Sequence, residues 1–172
     1  MARHIELNPT THVTINTIGP PGQRTFYLQG SHGADIISVT IEKQQAAILG
    51  NSFDTLLSEL ARRNPPETRE PKEQILTDMR LREPVQSLFR VGRMEMGYSE
   101  PEDRVVLVAY ELVDEDVEDP NAVSFWLTRA QVEALIPHIE DVVQAGRPIC
   151  GNCGQPIDPE GHFCPKRNGH AS

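Results

Sequence analysis

With 172 residues, 38% of them hydrophobic and 24% charged, the chain can bury one sizeable core, and wholesale disorder is excluded. Its net charge of −9 repels phosphate backbones, which argues against nucleic acid as a partner of the whole molecule. The opening MARHIELNPT has no apolar leader and the longest unbroken apolar run is Val105–Tyr110, so no secretion signal or membrane span is expected and the cytoplasm is the expected compartment.

Taken in chain order, HVTINTI (His12–Ile18) alternates weakly. TFYLQ and DIISVTI are β-branched and aromatic with the polar turn GSHG between them, which predicts a hairpin over Thr25–Ile41. The period then changes. Leu49, Phe53, Leu56, Leu57 and Leu60 recur at helical spacing and define one face of an amphipathic helix. A proline-rich, charged stretch follows, read as a linker over residues 65–85, and its ILTDMRL fits either a short helix or an extended lead-in. Phe89–Tyr98 alternates again, SEPED turns, and RVVLVAYELV is a strongly apolar strand. The acidic ELVDEDVED reads as a solvated loop between strands, with a cation or a basic partner as the alternative. AVSFWL is the last strand. In the final helix Val132, Leu135, Ile136, Ile139, Val142 and Val143 share a face.

The halves align. SVTIEKQQAAILGNSFDTLL from Ser38 lies over SFWLTRAQVEALIPHIEDVV from Ser124 at a shift of 86 without a gap, placing Lys43 on Arg129 and Gln45 on Gln131. PGQR before one strand lies over PEDR before another at a shift of 80, which makes Arg24 the counterpart of Arg104. Gly50-Asn51 falls on Ile136-Pro137, a helix-weakening residue near the same turn of each helix. The expected fold is α+β: an antiparallel sheet with two helices on one face, built from a duplicated strand-strand-strand-helix unit. Residues 1–145 form this domain, with halves at about 1–64 and 86–145, and 146–172 form a tail. Thr128 and Gln131 have capping-box spacing, so the repeated glutamine reads as a helix-start device.

The tail carries a net charge of +1, three bases against two acids, leaving −10 on residues 1–145. It also holds all three cysteines. Cys150 and Cys153 are separated by two residues, and GQPIDPEG, with two prolines and two glycines, can return His162 and Cys164 to them. Three thiolates and one imidazole complete a tetrahedral zinc shell with no open position for water, which marks a structural rather than a catalytic site. His-x-Cys side chains diverge in an ideal strand, so His170, Asp158 or water are alternatives to His162 as fourth ligand, and an iron–sulfur centre is an alternative to zinc. CGNC does not open a helix after a strand, which argues against a redox pair. A module this short has no core of its own, so the metal would supply its folding energy, on the order of 10 kcal/mol.

No nucleophile elbow, phosphate-binding loop or dinucleotide fingerprint is present in the sequence. His4, His12, His32 and His138 are scattered, and Met94, Met96, Tyr98 and Trp126 read as core or sheet-face residues. The segments GPPGQRTFYLQ and EKQQAAIL and the ending CGNCGQPIDPEGHFCPKRNGH give the whole chain a resemblance to an uncharacterised protein family common in actinobacteria. That family closes on a C-x2-C-G-x-P-[IL]-D-P-x-G-H-x-C-P-[RK]-x-N-G pattern. The resemblance brings no activity with it. It implies a shared pathway or complex with kinase-like or histidine-phosphatase-like proteins, whose genes tend to neighbour the family's. The ending NGHAS departs from the more basic, aromatic end of many members, which further weakens nucleic-acid binding through Lys166 and Arg167. The resulting expectation is a cytoplasmic zinc-binding protein acting as a non-catalytic binding or adaptor protein. The rival is an enzyme or enzyme subunit with a pocket between the halves lined by Arg24, Arg104 or His32.

Overall fold

The structure is a computed structural model and describes residues 3–20, 22–63, 65, 78–145, 163–164 and 170–171. Its strands are β1 (His4–Leu7), β2 (His12–Ile18), β3 (Thr25–His32), β4 (Asp35–Ile41), β5 (Ser87–Ser99), β6 (Arg104–Glu111) and β7 (Ala122–Leu127). Helix α1 (Lys43–Arg63) follows β4, α2 (Arg129–Ala145) follows β7, and β8 (Phe163–Cys164) pairs with β9 (His170–Ala171) in a separate two-stranded ribbon.

One sheet of seven strands has the order β1-β7-β6-β5-β4-β3-β2. The expected purely antiparallel sheet is corrected: β1 with β7 and β4 with β5 run parallel, so the sheet is mixed. The parallel pairs arise because two strands are shared. The start of β5 lies parallel to β4, with Ser38 opposite Ser87 and Thr40 opposite Arg90, and the remainder lies antiparallel to β6. β1 and β2, separated only by residues 8–11, divide the same work: β1 follows β7 and β2 pairs with β3. The connecting residues stitch the sheet's two ends together, as Thr10 N donates to Trp126 O at 3.1 Å and Thr11 N to Ser31 O at 2.8 Å.

Both halves carry the same ladder. Adding 81 to β2, 79 to β3 and 86 to β4 turns every β2–β3 pair into a β5–β6 pair, and every β3–β4 pair except His32–Asp35 into a β6–β7 pair. Thr17–Phe26 becomes Tyr98–Val105, and Phe26–Ile41 becomes Val105–Leu127. Glu6–Ser124 and Ser87–Ser38 correspond likewise. The offset before β3 and β6 is therefore 79 rather than 80, and Arg24 falls on Asp103, not on Arg104. The alignment of PGQR over PEDR slips because the chain between Ile18 and Thr25 is longer than that between Ser99 and Arg104.

Period-2 alternation sends Ile15, Leu28, Val39, Val105, Leu107, Phe125 and Leu127 inward, all fully buried or nearly so. The helical stripes add Ala46, Leu49, Phe53 and Leu60 from α1, and Val132, Leu135, Ile139 and Val142 from α2, to the same cluster. Apart from Ala46, each such side chain contributes about 1.5–3 kcal/mol by leaving water. Gly50 is where the helices touch: a Cβ there would lie 3.1 Å from Ile139 Cγ2. The helix-weakening glycine thus permits close helix packing. At Gly30, in β3, Phe125 Cδ1 and Cε1 come within 2.7 Å of where a Cβ would be.

The other face of β2–β4 is polar yet buried, with Thr14, Gln29 and Ser31 at 0% exposure. Residues 78–82 cover it. His12 Nε2 bonds Asp78 O at 2.7 Å, Thr14 Oγ1 and Asn16 Nδ2 donate to Met79 O at 2.6 and 3.0 Å, and Gln29 exchanges two bonds with the Arg82 backbone at 2.7 and 2.9 Å. Desolvating this face would be costly without those partners. The end of the expected linker is therefore a cover clamped to the first half. Bonds from the Arg80 side chain and backbone amide hold the Asp78 carboxyl down at a pKa of about 2.

Candidate functional site

Each helix start is fixed by a glutamine. Gln131 Oε1 accepts from Thr128 N at 2.8 Å while Thr128 Oγ1 accepts from Gln131 N at 3.0 Å, the expected capping box. In the first half Gln45 Oε1 accepts from Glu42 N at 2.7 Å. Each glutamine also reaches the chain where it changes partner: Gln131 Nε2 donates to Thr10 O, between β1 and β2, at 2.8 Å and Gln45 Nε2 to Val91 O, in β5, at 3.1 Å. These bonds pin the residue that precedes each helix, Glu42 beside the start of β3 and Thr128 beside the start of β6.

At the first-half corner lies a recess of about 300 Å³, lined among others by Arg24, Thr40, Glu42, Lys43 and Arg90. Parallel pairing of β4 with β5 brings Arg90 opposite Thr40. Arg90 is ion-paired with Glu42. Arg24 Nη1 donates to Thr17 Oγ1 at 3.3 Å, and its Nε is buried with no acceptor among the described residues.

The second-half corner has the same frame and different charges. Asp103 occupies the place of Arg24, Arg129 that of Lys43 and Tyr98 that of Thr17. Arg129 Nε donates to Asp103 Oδ1 at 2.9 Å and its Nη2 to Tyr98 OH at 3.0 Å; Tyr98 OH donates to Asp103 Oδ1 at 2.5 Å. Burial pulls the Asp103 carboxyl up, but bonds from Tyr98 and Arg129 outweigh it and the pKa falls below the ordinary carboxylate value. Burial and the Asp103 carboxylate raise the Tyr98 phenol. This corner is a satisfied ion pair.

Of the expected pocket residues, the recess gathers Arg24 but neither Arg104 nor His32 among its lining residues. Arg104 Nη1 donates to Glu102 O and Asp103 O at 3.0 and 3.1 Å. His32 Nδ1 bonds Pro9 O at 2.7 Å, and His138 Nε2 bonds Ile15 O at 2.8 Å. Because a carbonyl only accepts, these ring nitrogens, like His12 Nε2, carry the proton and serve as tethers. His4 Nε2 lies 2.5 Å from Ser124 Oγ. Met94, Met96 and Tyr98 pack against the core as expected, and the Trp126 Nε1 is buried without a partner among the described residues. Lys43 and Arg90 are the recess residues that sequence reasoning missed. The pairing of Lys43 with Arg129 in the aligned halves was the available signal for the first.

Cys150, Cys153 and His162 lie outside the described residues, and Cys164 is described only as the second residue of β8. Among the described residues no group of three or more His, Cys, Asp or Glu side chains is placed to hold a metal ion. No described helix is long and apolar enough to cross a membrane.

The fold and site define an α+β protein, a seven-stranded mixed sheet with two helices and a cationic recess at one corner. The chain belongs to the family described as protein of unknown function (DUF3090), whose profile matches residues 5–164. Neither a curated protein nor a solved structure matches it.

Proposed function

We propose that the protein is a cytoplasmic, non-catalytic binding or adaptor protein that holds an anionic group of its partner in the first-half recess. One observation carries this reading: among the described residues, three cations, Arg24, Lys43 and Arg90, line the recess against the single acid Glu42, in a chain whose net charge is −9. A local excess of positive charge on an acidic body costs little against bulk water, yet it gives an incoming anion a favourable place. The coinciding ladders support a duplicated unit in which one corner kept or gained an internal ion pair and the other faces outward. Cys150, Cys153, His162 and Cys164 are proposed to bind a structural zinc that folds the tail, and kinase-like or histidine-phosphatase-like proteins are the proposed partners.

The full chain should show saturable shifts of the Thr25 and Lys43 amide resonances on titration with at least one of acetate, phosphate or sulfate, beyond those produced by chloride. One zinc per chain should be found in the same sample by elemental analysis and be lost in Cys153→Ser. Amides that respond to none of the three anions would remove the binding reading, and a metal-free protein would remove the zinc assignment.

A further inference from the structure

We infer that the recess takes a carboxylate, the group that the second half supplies to itself as Asp103. This rests on the recess being an anion site at all. The two corners share one strand register and one helix start, so the difference between them reduces to side chains. Where the second half has an acid, a base and a hydroxyl in Asp103, Arg129 and Tyr98, the first has a base, a base and a hydroxyl in Arg24, Lys43 and Thr17. Replacing the acid by a base leaves Arg24 and Lys43 as like charges in a recess whose Glu42 carboxylate is paired with Arg90, and the missing partner is a second carboxylate.

The lining favours this group over a phosphate. Glu42 is already present and ion-paired with Arg90, so both arginines whose ion pairs frame these corners, Arg90 and Arg129, take carboxylates as partners. An incoming dianion would meet the Glu42 charge twice over, whereas a carboxylate brings a single charge to Arg24 and Lys43. Among the described residues the Arg24 side chain bonds Thr17 Oγ1 through Nη1 and forms no ion pair, so its charge has no carboxylate partner there. A free carboxylate ligand and an aspartate or glutamate side chain of a partner protein present the same chemistry here.

The test compares acetate, an uncharged-ended peptide containing one aspartate, and inorganic phosphate on the full chain, read at the Thr25 and Lys43 amides at constant ionic strength. Acetate and the peptide are expected to saturate, with phosphate weaker. A tighter response to the peptide marks a protein partner, and an equal one a small carboxylate. Lys43→Gln should weaken acetate binding at least tenfold. Arg24→Asp, which supplies the acid internally as the second half does, should abolish it while leaving the remaining amide spectrum in place. Phosphate binding as tightly as acetate, or acetate binding unchanged in both variants, would overturn the carboxylate assignment while leaving an anion site standing. Silence toward every anion would instead remove the site itself.

Discussion

Replacing Gly30 by alanine places a Cβ 2.7 Å from Cδ1 and Cε1 of Phe125 and 3.0 Å from Leu7 Cδ1. Phe125 is fully buried, so its ring cannot swing into solvent and must push against the core or part the strands. Such overpacking costs about 1–3 kcal/mol. Removing a glycine from a strand returns roughly 0.5–1 kcal/mol, so a net loss of up to about 2.5 kcal/mol, centred near 1 kcal/mol, is expected. For a domain of this size a loss of about 1–2.5 kcal/mol lowers Tm by about 2–10 °C. Gly97, a β5 glycine with nothing within 4 Å of its would-be Cβ, provides the control, and Gly97→Ala should gain about 0.5 kcal/mol. Urea unfolding of both variants, and of Gly30→Ala with Phe125→Leu, completes the assay. The smaller side chain should relieve the clash, so the double variant should be more stable than the summed single losses by about 0.5–3 kcal/mol. A Gly30→Ala protein as stable as the native one, with no coupling to Phe125, would refute the close approach of β3 and β7.

Gln45→Ala and Gln131→Ala should each lose a cap bond and a bond to the chain where it changes partner, costing about 1–2 kcal/mol in urea unfolding. The two losses should be similar because the two geometries are. Asp103→Asn should cost less than about 1 kcal/mol at neutral pH, since the Asp103 side chain is 51% exposed. Its carboxyl pKa is lowered in the folded protein. Its contribution is therefore complete above the unfolded value of roughly 4 and is lost as pH falls through the lower folded value. The stability gap between native and Asp103→Asn proteins should narrow between pH 5 and pH 2, roughly the window in which such a group titrates; a gap that widened in acid would contradict this.

Periodicity made β2, the β3–β4 hairpin, β6, β7 and both helix faces legible, because each carries its own alternation or stripe. The parallel pairings were not legible, since they depend on strands changing partner partway, and no local pattern in Ser87–Ser99 records that. β1 escaped notice for a related reason: His4–Leu7 has only four residues and is held by β7, more than a hundred positions away. The cover at 78–82 was hidden because His12, Thr14, Asn16 and Gln29 look like solvent-facing polar residues until another backbone is laid across them. At the candidate site, Arg24 stood out before its strand and Lys43 stood opposite Arg129 in the aligned halves. Arg90 joins them only through the parallel register, and the charge reversal at Asp103 was obscured by the unequal turn lengths.

The shared strands also bear on how such a shape can arise. β1 comes from the first half yet completes the edge of the second beside β7, and the start of β5 comes from the second half yet completes the first beside β4. Each half therefore lends the other the piece it lacks, at the same position of the ladder. Two separate copies of a single half, exchanging that one strand, would reproduce the whole sheet as a symmetric pair. Within the one chain the two corners of that frame carry different charges, Arg24 at the first and Asp103 at the second.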